Sequence, residues 1–119
     1  MSKILLVEDD ATMRMLLKTL LELDKHQVTT MADPTQNVMK TLLDLQPDVL
    51  IMDVNLRQSN GIDILKIIRS SEIPWRLYIL MTSGMDFKDE CLKAGADGFL
   101  LKPYMPDELN RQLKKVQIM

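Results

Sequence analysis

Four polar signals in this chain each follow a short apolar run. Glu8, Asp9 and Asp10 follow residues 3–7, Asp53 follows 49–52, Thr82 and Ser83 follow 77–81, and Lys102 follows 98–101. Brought together, such carboxylates, hydroxyls and an ammonium can hold a divalent cation and a phosphoryl group. Two carboxylates about 5 Å apart repel by roughly 3 kcal/mol at an effective dielectric near 20, so a cluster of them needs a compensating charge. Mg2+ suits that role, because it is a hard ion that takes one or two carboxylates, a carbonyl oxygen and several waters. Asp9 and Asp53 are the expected direct ligands, with Glu8 holding a metal-bound water and the Asn55 carbonyl as a third protein ligand.

A carboxylate beside a metal ion is also a nucleophile toward phosphorus, and its product is an aspartyl phosphate. Such a transfer asks mainly for alignment and for neutralised oxygen charge. Lys102 can neutralise one phosphoryl oxygen, Thr82 can donate to another, and backbone N–H groups near Asn55 or Ser83 can serve a third. Asp10 is expected to cap a helix instead of binding metal. His26, the only histidine, is expected as a solvated turn residue at the far end of the sheet, and no hydrolase-type triad can be assembled.

The elements that must position these groups alternate along the chain. Strands are expected at 3–7, 27–31, 49–52, 76–81 and 98–101, since short apolar runs between helical patterns read as buried parallel strands. Helices are expected at 11–23, from Asp33-Pro34 to before Pro47, after the Ser59-Asn60-Gly61 turn, at 87–94 and at 106–116. The first should bury Met13, Leu16, Leu17, Leu20 and Leu21 on one face. Repeated strand–helix units predict an α/β sandwich, a doubly wound five-stranded parallel sheet with helices on both faces. Strand order 2-1-3-4-5 would bring the acids after strand 1 to Asp53 after strand 3, at the switch point where open α/β sheets bind ligands.

With these pieces in place, the chain resembles a response-regulator receiver domain of two-component signalling over essentially its full length. The resemblance rests on Ile4-Leu5-Leu6-Val7-Glu8-Asp9-Asp10, Pro47-Asp48-Val49-Leu50-Ile51-Met52-Asp53, Met81-Thr82-Ser83-Gly84, Ala94-Gly95-Ala96-Asp97-Gly98-Phe99 and Leu101-Lys102-Pro103. It implies a (βα)5 flavodoxin-like fold, bound Mg2+, and Asp53 as acceptor of a phosphoryl group from a sensor histidine kinase or histidine phosphotransfer protein. It makes Glu8 and Asp9 the acidic pair, Thr82 the switch hydroxyl, Phe99 the switch aromatic and Lys102 the family lysine. It further implies a cis peptide before Pro103, and places Asn55 and Gly84 beside the route of a hydrolytic water. The fourth helix, fifth strand and fifth helix would form the surface read by a downstream effector protein or output domain, with Met85 and Met105 at its border. A homodimer formed on phosphorylation stays open. One departure is Arg57, four residues beyond Asp53, where receivers often carry proline. It loosens the loop beside the site and adds a charge there.

Composition bounds the remainder. The 119 residues are 46% hydrophobic, enough for one core, and the expected organisation is a single domain over 1–119. A formal net charge of −2 argues against direct nucleic-acid or membrane binding through bulk electrostatics. A lone cysteine, Cys91, and no signal-peptide pattern point to the cytoplasm. No enzyme activity is expected beyond the chain's own phosphotransfer and autodephosphorylation. Two other classes of protein make different demands on these residues. A phosphohydrolase of the haloacid dehalogenase kind would want a second aspartate where Asn55 stands. A phosphate-independent binding module would be expected to have lost an acid, the hydroxyl or the lysine, and all are retained.

Overall fold

A computed structural model describes residues 2–33 and 37–118, with side chains described as far as residue 116. The main sheet holds β1 (Lys3–Val7), β2 (Gln27–Met31), β3 (Val49–Asp53), β4 (Tyr78–Ser83) and β5 (Gly98–Leu101). All neighbouring pairs are parallel, in the order β2-β1-β3-β4-β5. The helices are α1 (Ala11–Leu23), α2 (Val38–Leu45), α3 (Gly61–Ser70), α4 (Lys88–Lys93) and α5 (Pro106–Lys114), the last running into a 3-10 turn at Lys115–Ile118. The doubly wound, flavodoxin-like arrangement read from the sequence is the one observed. No helix among the described residues is long and apolar enough to cross a membrane.

Alternation along each strand divides the core into two layers, because successive side chains point to opposite faces. Leu5, Val7, Leu50, Met52, Ile79, Met81 and Phe99 pack with α2, α3 and α4. Ile4, Leu6, Val49, Ile51, Tyr78, Leu80 and Leu100 pack with α1 and α5. The central β3 and β4 are buried along their whole length, whereas β2 is the half-exposed edge expected of it.

Several boundaries move. β4 starts at Tyr78, not residue 76, and runs through Thr82 and Ser83; β3 likewise includes Asp53. The polar site residues therefore belong to the strands, held by ladder hydrogen bonds. α2 begins at Val38, preceded by Asn37 in the left-handed region (φ 81°), so Asp33 is not its cap; Pro34 lies outside the described residues. α2 does stop before Pro47, at Leu45. α1 buries Leu17 and Leu21, while Leu16 is half exposed, because the apolar stripe is wider than the sheet surface beneath it. The Asp10 carboxylate caps α1 by accepting from the Met13 N–H at 2.9 Å. After β3, Asn55–Leu56 pairs antiparallel with Ser59–Asn60, a miniature hairpin too short to show in any periodicity.

Candidate functional site

Register alone gathers the main groups. Asp53 is paired with Thr82 across β3 and β4, and Val7, just before Glu8, is paired with Met52. Lys102 follows β5 and is tied to β4 by its own N–H, which donates to the Ser83 carbonyl at 2.7 Å. One carboxylate oxygen from each of Glu8, Asp9 and Asp53 falls within 4.8 Å of the others. Glu8 and Asp53 are buried, at 3% and 7% exposure, and so are Thr82 and Ser83.

Lys102 Nζ donates to Asp53 Oδ2 at 2.9 Å and to Glu8 Oε1 at 3.1 Å. Burial works to lower the Lys102 pKa, but the hydrogen bond and charge of Asp53, followed by the charge and hydrogen bond of Glu8, raise it above its ordinary value. The ammonium is thus held in its charged form. Against three carboxylates, this ammonium and the largely exposed Arg57 guanidinium, 4.0 Å from Asp9, leave the cluster net negative. A hard divalent ion would offset that charge, and the all-oxygen donor set suits Mg2+.

The Asn55 N–H donates to Asp53 Oδ1 at 3.2 Å. Asn55 Oδ1 accepts from the Ser83 hydroxyl at 2.8 Å, and Ser83 Oγ accepts in turn from the Met85 N–H at 3.1 Å. Asp9 Oδ2 accepts from the Arg57 N–H at 2.6 Å, with Arg57 Nε 4.0 Å away. Gly61 opens α3 directly against β3: a Cβ there would collide with the Asp53 carbonyl oxygen and lie 2.9 Å from Val54 Cα.

Phe99 is buried in the layer of α3 and α4, paired in register with Met81, one residue before Thr82. The Lys102–Pro103 peptide is cis, as the resemblance implied. Asp10 is outside the acidic cluster, in its capping role. His26 lies at the opposite edge, but it is half-buried instead of merely solvated, and its Nδ1 accepts from the Ser2 N–H at 3.0 Å.

Three participants were not read from the sequence. They are the Arg57 N–H, the Ser83–Asn55 bond, and Tyr104. The Tyr104 hydroxyl is buried without a hydrogen-bond partner among the described residues. Burial pushes this phenol up to about 12, with the Lys102 charge pulling the other way. The one signal available was position, since Tyr104 follows Lys102 by two residues.

Comparisons with known proteins bear on the family and the fold. Residues 4–114 match the family model of the response regulator receiver domain. The chain is 37% identical over 119 residues to a nitrate/nitrite response regulator protein homolog of Haemophilus influenzae, covering 96% of this chain but 56% of that one. It is 30% identical to the chemotaxis protein CheY of Thermotoga maritima, with 96% of each chain covered. Among solved structures it superposes on the receiver domain of a sensor histidine kinase of Pseudomonas aeruginosa with a TM-score of 0.85 and 29% identity. That match covers 99% of this chain and 98% of the other, which holds a magnesium ion in its active-site cleft. A five-stranded parallel α/β fold with acids, hydroxyl and lysine at its C-terminal edge defines a class. The chain belongs to the response-regulator receiver domain family.

Proposed function

We propose that this chain is a Mg2+-dependent phosphorylation switch with Asp53 as its phosphoacceptor. The observation that carries this reading is the position of Asp53, bonded to Lys102 at 2.9 Å and clustered with Glu8 and Asp9. A carboxylate oxygen of Asp53 forms a bond to the phosphorus of a phosphohistidine on a sensor kinase or phosphotransfer protein. The P–N bond breaks, and its electron pair stays on the imidazole nitrogen, which then takes up a proton. Asp9, Asp53 and the Asn55 carbonyl would hold Mg2+ directly, with Glu8 reaching it through water. When bound, the ion offsets the negative charge of the carboxylates and of the incoming phosphoryl group. Lys102 neutralises another oxygen.

The new charge at Asp53 draws in the Thr82 hydroxyl, and Phe99 follows into the space it leaves. This biases a two-state surface on α4, β5 and α5, where Met85, Leu101 and Met105 are exposed. The readers are a downstream effector protein or an output domain, in a cytoplasmic setting. No separate substrate is turned over, and the chain promotes only its own phosphorylation and hydrolysis. Incubation with acetyl phosphate and Mg2+, read by intact mass, tests the reading. One added phosphoryl group, absent from Asp53→Asn and from metal-free protein, supports it. No adduct, even with a cognate kinase, overturns it.

A further inference from the structure

Two of the three clustered carboxylates are engaged by the loop after β3: Asp53 through the Asn55 N–H, and Asp9 through the Arg57 N–H. Asn55–Leu56 pairs with Ser59–Asn60, leaving Arg57 and Gln58 as the turn of the miniature hairpin. Both ends of that hairpin are anchored. The Asn55 N–H is bonded to Asp53, the Gly61 N–H donates to the Val54 carbonyl at 2.8 Å, and Asn60 Oδ1 caps α3 by accepting from the Ile62 N–H at 2.8 Å. Placement of the Arg57 N–H is therefore set by β3 and α3, not by its own side chain, which is 79% exposed.

We propose that Arg57 is a tethered competitor for the divalent cation at Asp9, lowering cation affinity by an amount that depends on salt. The inference rests on Asp9 being a metal ligand, as read above. Its two contacts act differently. The N–H fixes the Asp9 rotamer and occupies one lone-pair direction of Oδ2, leaving the rest of the carboxylate open, since an ionised carboxylate has about four such directions. The guanidinium, 4.0 Å from the same oxygen, places a positive charge beside the carboxylate that a divalent cation would share. Proline at position 57 could supply neither contact, because it has no N–H and no charge.

The repulsion acts across solvent, so its size is that of an exposed pair. Removing the charge should tighten Mg2+ binding by about two- to fivefold at low ionic strength. At about 1 M salt the screening length falls to about 3 Å and the difference should vanish. At low salt, a shift of that size raises the Mg2+ concentration at which the site is half filled by the same factor of about two to five.

The test is a calorimetric titration of MgCl2 into the full chain, at low and at high NaCl, for wild type, Arg57→Gln and Arg76→Gln. Arg76 is exposed beside Trp75, at the opposite edge of the sheet, and removes the same formal charge. Position-57 and Asp9 amide resonances followed through the same titration confirm that the ion enters this site. The expected result is tighter binding by Arg57→Gln alone, with the gap closing at high salt. Equal affinities for wild type and Arg57→Gln at low salt overturn the inference and leave the phosphorylation switch standing. An equal gain from Arg76→Gln also overturns it, because the effect is then bulk charge. Absence of Mg2+ binding in every protein overturns both the inference and the metal site on which it rests.

Discussion

Lys102, the residue after β5, holds Asp53, the last residue of β3, through an ion pair of 2.9 Å. The pair ties the edge strand β5 to β3 across β4, on the side where the acids gather. It also means that the ammonium expected to meet a phosphoryl oxygen is already committed to the acceptor carboxylate. Glu8 shares the same ammonium at 3.1 Å, so Lys102 is the counter-charge for two buried acids.

Removal of that counter-charge should be felt most without metal. Lys102→Ala leaves Glu8 and Asp53 buried and mutually repelling, at an expected cost of about 1–3 kcal/mol, below the usual penalty for a broken buried pair because the lysine is partly solvated. Mg2+ should recover more stability in the variant than in wild type, since the ion replaces the lost charge. Urea midpoints with and without MgCl2 decide it. A variant no more responsive to Mg2+ than wild type would show that the ion and the ammonium do not act on the same acids.

Ser83 makes a second claim on the site geometry. Its oxygen accepts from the Met85 N–H, so its single proton is free for Asn55 Oδ1, which turns the Asn55 NH2 group away from β4. Ser83→Ala should cost about 1 kcal/mol, the usual worth of a lost hydrogen bond with a partner left behind. The order parameter of the Asn55 side-chain amide should fall in the variant, as measured by NMR relaxation. An unchanged order parameter would mean that Asn55 is oriented by its backbone alone.

The residues themselves explain why some of this was legible and some was not. Asp53, Thr82 and Lys102 follow apolar runs, so strand period and parallel topology were enough to place them at one edge. Asn60 and Asp10 carry cap chemistry in their side chains, and both act as caps. The Arg57 N–H had no such sign, because every residue except proline carries that donor. The pairing of Asn55–Leu56 with Ser59–Asn60 involves too few residues for alternation to appear. Leu16 is half exposed although its spacing fits the buried face, because the run Leu16-Leu17 is apolar at both positions and only packing decides which one the sheet covers.

Gly61 should prove intolerant of any side chain. Helical backbone is open to alanine, so propensity alone would favour Gly61→Ala. Here the new Cβ would drive into the Asp53 carbonyl and Val54 Cα, displacing β3 where the acceptor is held. A loss of about 1–3 kcal/mol is expected from overpacking, together with slower phosphorylation by acetyl phosphate. A stable variant with wild-type phosphorylation would show that α3 can shift without moving Asp53.

His26 predicts a pH dependence remote from the acids. Burial lowers its pKa below the ordinary 6.5, and its Nδ1 needs a lone pair to accept from the Ser2 N–H. The unfolded chain therefore binds the proton more readily than the folded one. The contribution of neutral His26 is whole above about pH 6.5, falls as pH drops from there through the lower folded value, and is gone beneath it. His26→Asn offers a carbonyl oxygen in place of Nδ1 and does not titrate. Between pH 7.5 and 5, wild type should lose more stability in urea than His26→Asn, the acids contributing to both alike. Parallel losses would show that the Ser2–His26 bond carries no weight in the folded chain.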